Sequence, residues 1–157
     1  MTEPDRPIFI AADHVSFTVA DIETARDFYV DVFGATELFR LGPLDAGDMP
    51  AMPDGRDWMS AHVGVAGARL TLVMLKLVDN LNLQLIQYDK PDGRLDAHPR
   101  VCDIGGHHLA LRVDDVDKAR AYLAGRGCTV MEIIDLPDGK KNLYCRDPFG
   151  NPLEIVD

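Results

Sequence analysis

Two stretches of this chain are near copies, and each presents a histidine. One is Asp13-His14-Val15-Ser16-Phe17-Thr18-Val19-Ala20-Asp21; the other is Gly106-His107-His108-Leu109-Ala110-Leu111-Arg112-Val113-Asp114-Asp115. His14 answers to His108, Phe17 to Leu111 and Asp21 to Asp115. A second pair of segments, Leu83-Gln84-Leu85 and Leu153-Glu154-Ile155, aligns Gln84 with Glu154. Two imidazoles, one carboxylate and one amide oxygen suit a single divalent first-row metal, with positions left open for water or substrate. The expected ligands are His14, Gln84, His108 and Glu154. The histidines argue against calcium, which prefers oxygen alone. Affinity order leaves Zn, Ni, Co, Mn and Fe all open.

Such a set needs strands and turns to hold it. Alternation over 13–19 puts His14, Ser16 and Thr18 on one face of a strand, and alternation over 107–113 does the same for His108, Ala110 and Arg112. Asp21 and Asp115 are placed to cap helices over about 22–33 and 115–125, where Ile22, Ala25, Phe28 and Tyr29 match Val116, Ala119, Tyr122 and Leu123. Gly34 and Gly127 suit the stops. In the first half, strands are expected near 36–41, 70–78 and 81–88; in the second, near 129–134, 141–146 and 153–156. Residues 42–60, rich in Gly and Pro and closed by Trp58-Met59, break the pattern and are expected to form a long lid loop. Each half thus reads β-α-β-β-β: a first module over 1–88, a linker over 89–104 and a second module over 105–157. The fold class is α+β, two modules forming a curved mixed sheet around a metal cavity with the helices outside. A single such sheet with one covering helix leaves its other face bare, so two are needed to enclose a site.

Composition narrows the partners. The chain has 157 residues, 46% hydrophobic, and a formal net charge of −10. That charge disfavours nucleic acid and anionic membrane surfaces, and no stretch has the length of a membrane span. The first seven residues lack the parts of a signal peptide. Cys102, Cys128 and Cys145 have no close spacing and read as free thiols of a cytoplasmic protein.

The segments 13–21 and 106–115, with Asp147-Pro148-Phe149-Gly150-Asn151-Pro152-Leu153-Glu154-Ile155, resemble the signatures of the vicinal oxygen chelate superfamily, the glyoxalase, bleomycin-resistance and extradiol-dioxygenase group. The resemblance covers about 8–157. It implies paired modules, a homodimer, and a metal that chelates neighbouring oxygens of a small-molecule substrate. In such proteins the histidine directly before the apolar residue is the ligand, which selects His108 over His107. The His/Gln/His/Glu pattern, with Trp58-Met59 and the segments 82–88 and 103–108, is similar to the metal-dependent epimerases, methylmalonyl-CoA epimerase and the 2-epi-5-epi-valiolone epimerase-like group. Many of the latter carry a glutamate where this chain has Gln84. The segment 68–78 lacks the separate acidic base of methylmalonyl-CoA epimerase.

The expected reaction is therefore epimerisation or isomerisation beside a carbonyl, through a metal-stabilised enediolate, with Glu154 as the catalytic carboxylate. No thiol or serine nucleophile arrangement competes. Expected substrate contacts are Tyr144, Ser16, Asn142, Arg112 and Trp58. Ser16 and Arg112 share the ligand faces, and parity puts Asn142 and Tyr144 on one face. Tyr144 stands ten residues before Glu154, where the resembling fosfomycin-resistance proteins have a substrate-contacting tyrosine. Trp58 either lines the lid or anchors it. Rival readings are a glyoxalase-type lyase, an extradiol dioxygenase (disfavoured by a fourth ligand), and a non-catalytic drug-binding protein of the bleomycin-resistance type.

Overall fold

A computed structural model describes residues 10–91 and 98–157; the part of the expected linker at 92–97, with Gly93, and the start of the chain lie outside them. The first module comprises β1 (His14–Thr18), α1 (Ile22–Phe33), β2 (Thr36–Asp45), α2 (Trp58–Val63), β3 (Arg69–Val78) and β4 (Leu81–Lys90). The second comprises β5 (Leu109–Arg112), α3 (Val116–Ala124), β6 (Thr129–Asp135), β7 (Lys141–Arg146) and β8 (Pro152–Val156).

Each module builds its own four-stranded mixed sheet, in the order β1-β4-β3-β2 and β5-β8-β7-β6. β1 runs parallel to β4 and β5 parallel to β8; the remaining pairs are antiparallel. The repeat seen in the sequence is therefore a repeat of topology and of register. Ser16 pairs with Gln84 in the first sheet as Ala110 pairs with Glu154 in the second.

Both long helices start as their caps require. Asp21 accepts from the backbone N–H groups of Glu23 and Thr24, and Asp115 from that of Lys118. The Gln87 side chain accepts a further bond from the N–H of Ile22. α1 ends on Gly34 at φ 70, a left-handed conformation that a residue with a Cβ adopts at a cost.

Period-two alternation decides what each sheet buries. Phe17, Leu83, Leu85, Leu143, Cys145, Leu153 and Ile155 are buried, while the residues between them along each strand stay half-exposed or exposed. The buried faces join α1 and α3 in one hydrophobic core that spans both modules. Across that core the Tyr29 hydroxyl donates to buried Asp147 at 2.6 Å, Phe28 meets Phe149 edge-on at 5.6 Å, and the Tyr122 hydroxyl donates to the Val32 carbonyl at 3.1 Å. α1 and α3 thus lie on the side of each sheet away from the expected ligands, and part of the contact between the modules runs through that side; α2 packs on the opposite face of the first sheet, against Leu70 and Leu72.

Three boundaries differ from expectation. β2 continues to Asp45 through a register shift between Leu41 and Leu44, so the expected lid loop 42–60 keeps irregular backbone mainly at 49–57. An edge strand tolerates Pro43 at such an irregularity. A satellite core of Ala46, Met59, Ala68 and Leu70, with Leu44 and Trp58 against it, holds the segment ordered. β4 reaches Lys90, two residues past the expected end of the first module. β5 begins at Leu109, so His107 and His108 stand on the approach to the strand rather than within it.

Candidate metal centre

In the second module, three side chains gather around Glu154: His108 from the approach to β5, and Asn142 and Tyr144 from β7. The Nε2 of His108 lies 3.0 Å from Oε2 of Glu154, whose side chain is 16% exposed. The amide of Asn142 donates to the other carboxylate oxygen, Oε1. Tyr144 is the register partner of Glu154 on β7, and its ring meets the His108 ring edge-on at 5.3 Å. Burial, and then the negative charge of Glu154, holds the Tyr144 phenol above its usual pKa. It therefore stays protonated at neutral pH and able to donate.

The first module supplies a looser counterpart. His14 projects from the start of β1 and is about one-third exposed, with Nδ1 2.5 Å from a carboxylate oxygen of Asp13. A carboxylate at Nδ1 selects the tautomer whose Nε2 lone pair points away, the arrangement that metal-ligating histidines favour. Gln84, half-buried, occupies in β4 the register position that Glu154 occupies in β8.

These donors fit a divalent metal. Neighbouring ligand atoms about 2.1 Å from one ion stand about 3 Å apart, and the His108–Glu154 pair already has that spacing. The set is divided, however. Among the described residues no three His, Cys, Asp or Glu side chains gather where they could hold one ion, so His14 does not join His108 and Glu154 within one chain. The half-sets lie on the sheet faces opposite α1 and α3.

The remaining expected contacts separate by position. Ser16 lines a cavity between the modules together with Thr18 and His107. His107 also lies against Phe17, ring centroids 6.4 Å apart. Asn142 serves Glu154 directly, a role that strand parity did not reveal. Arg112 is exposed at the end of β5, opposite Val156. Trp58 packs against the satellite core and its indole N–H donates to the Asp45 carbonyl at 3.1 Å, which makes it the anchor of α2. Asp13 escaped the sequence reading, although the Asp-His dipeptide was its signal. Cys128 and Cys145 are buried, and burial pushes their thiols up to about 11 and about 12, which leaves them poor nucleophiles.

Among the described residues no helix is long and apolar enough to cross a membrane. Comparison with known proteins agrees with the architecture. The sequence profile of the Glyoxalase/Bleomycin resistance protein/Dioxygenase superfamily matches residues 11–155. A 2-epi-5-epi-valiolone epimerase from Actinomyces sp is 37% identical over 164 aligned positions, covering 100% of this chain and 84% of that protein. Among solved structures, a glyoxalase family protein from Bacillus cereus superposes with a TM-score of 0.75 at 18% identity, covering 99% of this chain and 97% of that one. A fosfomycin resistance protein from Listeria monocytogenes, solved with Mn(II) and sulfate, gives 0.55 at 13% identity, covering 95% and 93%.

Proposed function

The chain belongs to the Glyoxalase/Bleomycin resistance protein/Dioxygenase superfamily, and from that premise we propose that it is a divalent-metal-dependent epimerase acting beside a carbonyl of a small substrate. The observation that carries the reading is the prearranged His108–Glu154 pair, with Asn142 on one carboxylate oxygen and Tyr144 alongside. The nearest chemistry to try is that of the epimerase relative, with 2-epi-5-epi-valiolone as first substrate.

His108 and Glu154 of one chain, with His14 and Gln84 of a second copy, would hold the ion. A bound divalent ion supplies Lewis-acid polarisation of a carbonyl and acidifies the neighbouring C–H. Two copies are invoked because, among the described residues of one chain, no three His, Cys, Asp or Glu side chains gather where they could hold one ion. A two-fold pair would then contain two complete sites.

The protein groups perform the proton work. Glu154 is a carboxylate oriented by Asn142, placed to take the proton from the carbon beside the carbonyl. The protonated Tyr144 hydroxyl donates to negative charge developing on a substrate oxygen. Asp13 keeps His14 in its ligating tautomer. Glu154 releases its proton to solvent, and a proton drawn from solvent adds to the opposite face of the carbon and inverts it.

The test is isotopic. Incubated in deuterium oxide with one divalent metal equivalent, the protein should wash deuterium into the substrate C–H beside the carbonyl as the epimer forms. Epimer formation without any exchange would exclude this route, in which the returning proton comes from solvent. Exchange that is insensitive to chelation would exclude the metal.

A further inference from the structure

The cavity between the modules has a volume of about 300 Å³, within the range of small-ligand sites. Its floor is apolar, with Phe17 and Phe149. Its polar rim is basic: Arg146, Arg100, His98 and His107. The chain carries 26 acidic residues against 16 basic ones, yet none of the described residues lining this cavity is acidic. Ser16 and Thr18 add hydroxyls from the strand face that also bears His14.

Arg146 is the central group. Its guanidinium is half-buried and fixed by two backbone acceptors, Nη1 donating to the Gly150 carbonyl at 2.5 Å and Nη2 to that of Pro99 at 2.6 Å. Among the described residues it pairs with no carboxylate, whereas Arg100 beside it is paired with Asp103 at 2.7 Å. A half-buried guanidinium held rigidly, with no counter-charge among the described residues, is a ready receptor for an oxyanion, and a planar fork suits phosphate or carboxylate. Gly150 is part of the construction. At φ 89 it leaves room for the His98 ring, which would stand 2.3 Å from a Cβ at that position.

We infer that this cavity is a binding site for the oxyanion group, phosphate or carboxylate, of a small ligand, distinct from the metal ligands and centred on Arg146. The apolar floor takes the ligand's carbon skeleton while the basic rim takes its charge.

Binding of inorganic phosphate, a sugar phosphate and a dicarboxylate to the full chain, measured calorimetrically at low salt with a chelator present, tests this. Saturable binding of at least one probe is expected, weakened at least tenfold in Arg146→Met and in Thr18→Asp. The second variant adds a rim carboxylate at an exposed strand position and leaves the 98–100 segment untouched. Tighter binding of the sugar phosphate than of inorganic phosphate would mark the oxyanion as part of a larger ligand; equal binding would mark a free anion, and the site stands in both cases. Absence of binding by all three probes, or unchanged affinity in either variant, overturns the inference. Binding that appears only with metal and is lost in Glu154→Ala also overturns it, because the anion would then sit on the ion. Failure of the epimerase reading leaves this result unaffected, since no turnover is measured.

Discussion

Glu154 sits in the second sheet with Tyr144 as its register partner and Asn142 bonded to its carboxylate. Gln84 holds the same place in the first sheet, where its register partner is Met74 and the position answering to Asn142 is Leu72, paired with Ile86 as Asn142 is paired with Val156. One backbone plan therefore carries two different chemistries. A carboxylate is placed where polar side chains of β7 support it, and a neutral amide is placed where the matching side chains of β3 are apolar. The division follows from the cost of burying charge without partners. On the proposed reading it also divides the labour: the second module would hold the reactive carboxylate, and the first would contribute neutral ligands.

The largest expected effect comes from removing that carboxylate. Glu154→Gln makes the second module resemble the first and should lower turnover by about 10³-fold, in line with the loss of a general base. Gln84→Leu should cost far less turnover while weakening metal binding, and equal losses in the two variants would erase the proposed division. Next, Asp13→Asn should reduce metal affinity by about 10- to 100-fold, the usual cost of losing the partner of a ligating histidine, measured by competition with a chromophoric chelator. An unchanged affinity would remove Asp13 from the site. Gln84→Glu pushes the comparison the other way. A carboxylate beside Met74 and Leu72 should destabilise the metal-free protein by about 1–2 kcal/mol, and metal should restore the loss in thermal unfolding.

The smallest effect concerns the contact that joins the modules. Tyr29 is fully buried, and burial first, then the charge of Asp147, raises its phenol well above the usual value. Its neutral form is the folded form. The stability it contributes is complete below the ordinary tyrosine pKa of about 10 and is lost as pH rises through the higher folded value. Tyr29→Phe should cost about 1–2 kcal/mol at neutral pH and flatten the alkaline fall in stability. An unaltered slope above pH ~10 would locate that sensitivity elsewhere.

Much of this organisation was legible in the chain because it is local or repeated. The helix at 22–33 has its cap, its apolar spacing and its terminal glycine all within its own residues. Gln84 and Glu154 were paired by a repeat that the sheet register reproduces. Other features were not local. β2 was read as ending near Leu41, because Gly42-Pro43 looks like a break; only packing of Leu44 against the satellite core shows why the strand resumes. The Tyr29–Asp147 contact joins residues 118 apart in sequence, and neither flank announces it. Parity put Asn142 on the right face without showing that its partner is Glu154. The part of the contact between the modules that runs through the side of α1 and α3 follows from aromatic residues of both halves packing together, which a pattern read one module at a time does not display.

The division of the ligands into two half-sets carries the central claim, that each metal centre draws one half-set from each of two chains. Mixing His14→Ala chains with Glu154→Ala chains tests it directly. Each variant alone lacks a complete set. If the sites form across the pair, a mixed dimer has one centre with both lesions and one with none, and random pairing should restore about a quarter of the wild-type metal content per chain. Metal content that stays at the level of the separate variants, in mixtures shown by mass spectrometry to contain the mixed dimer, would place each centre within a single chain and contradict the account.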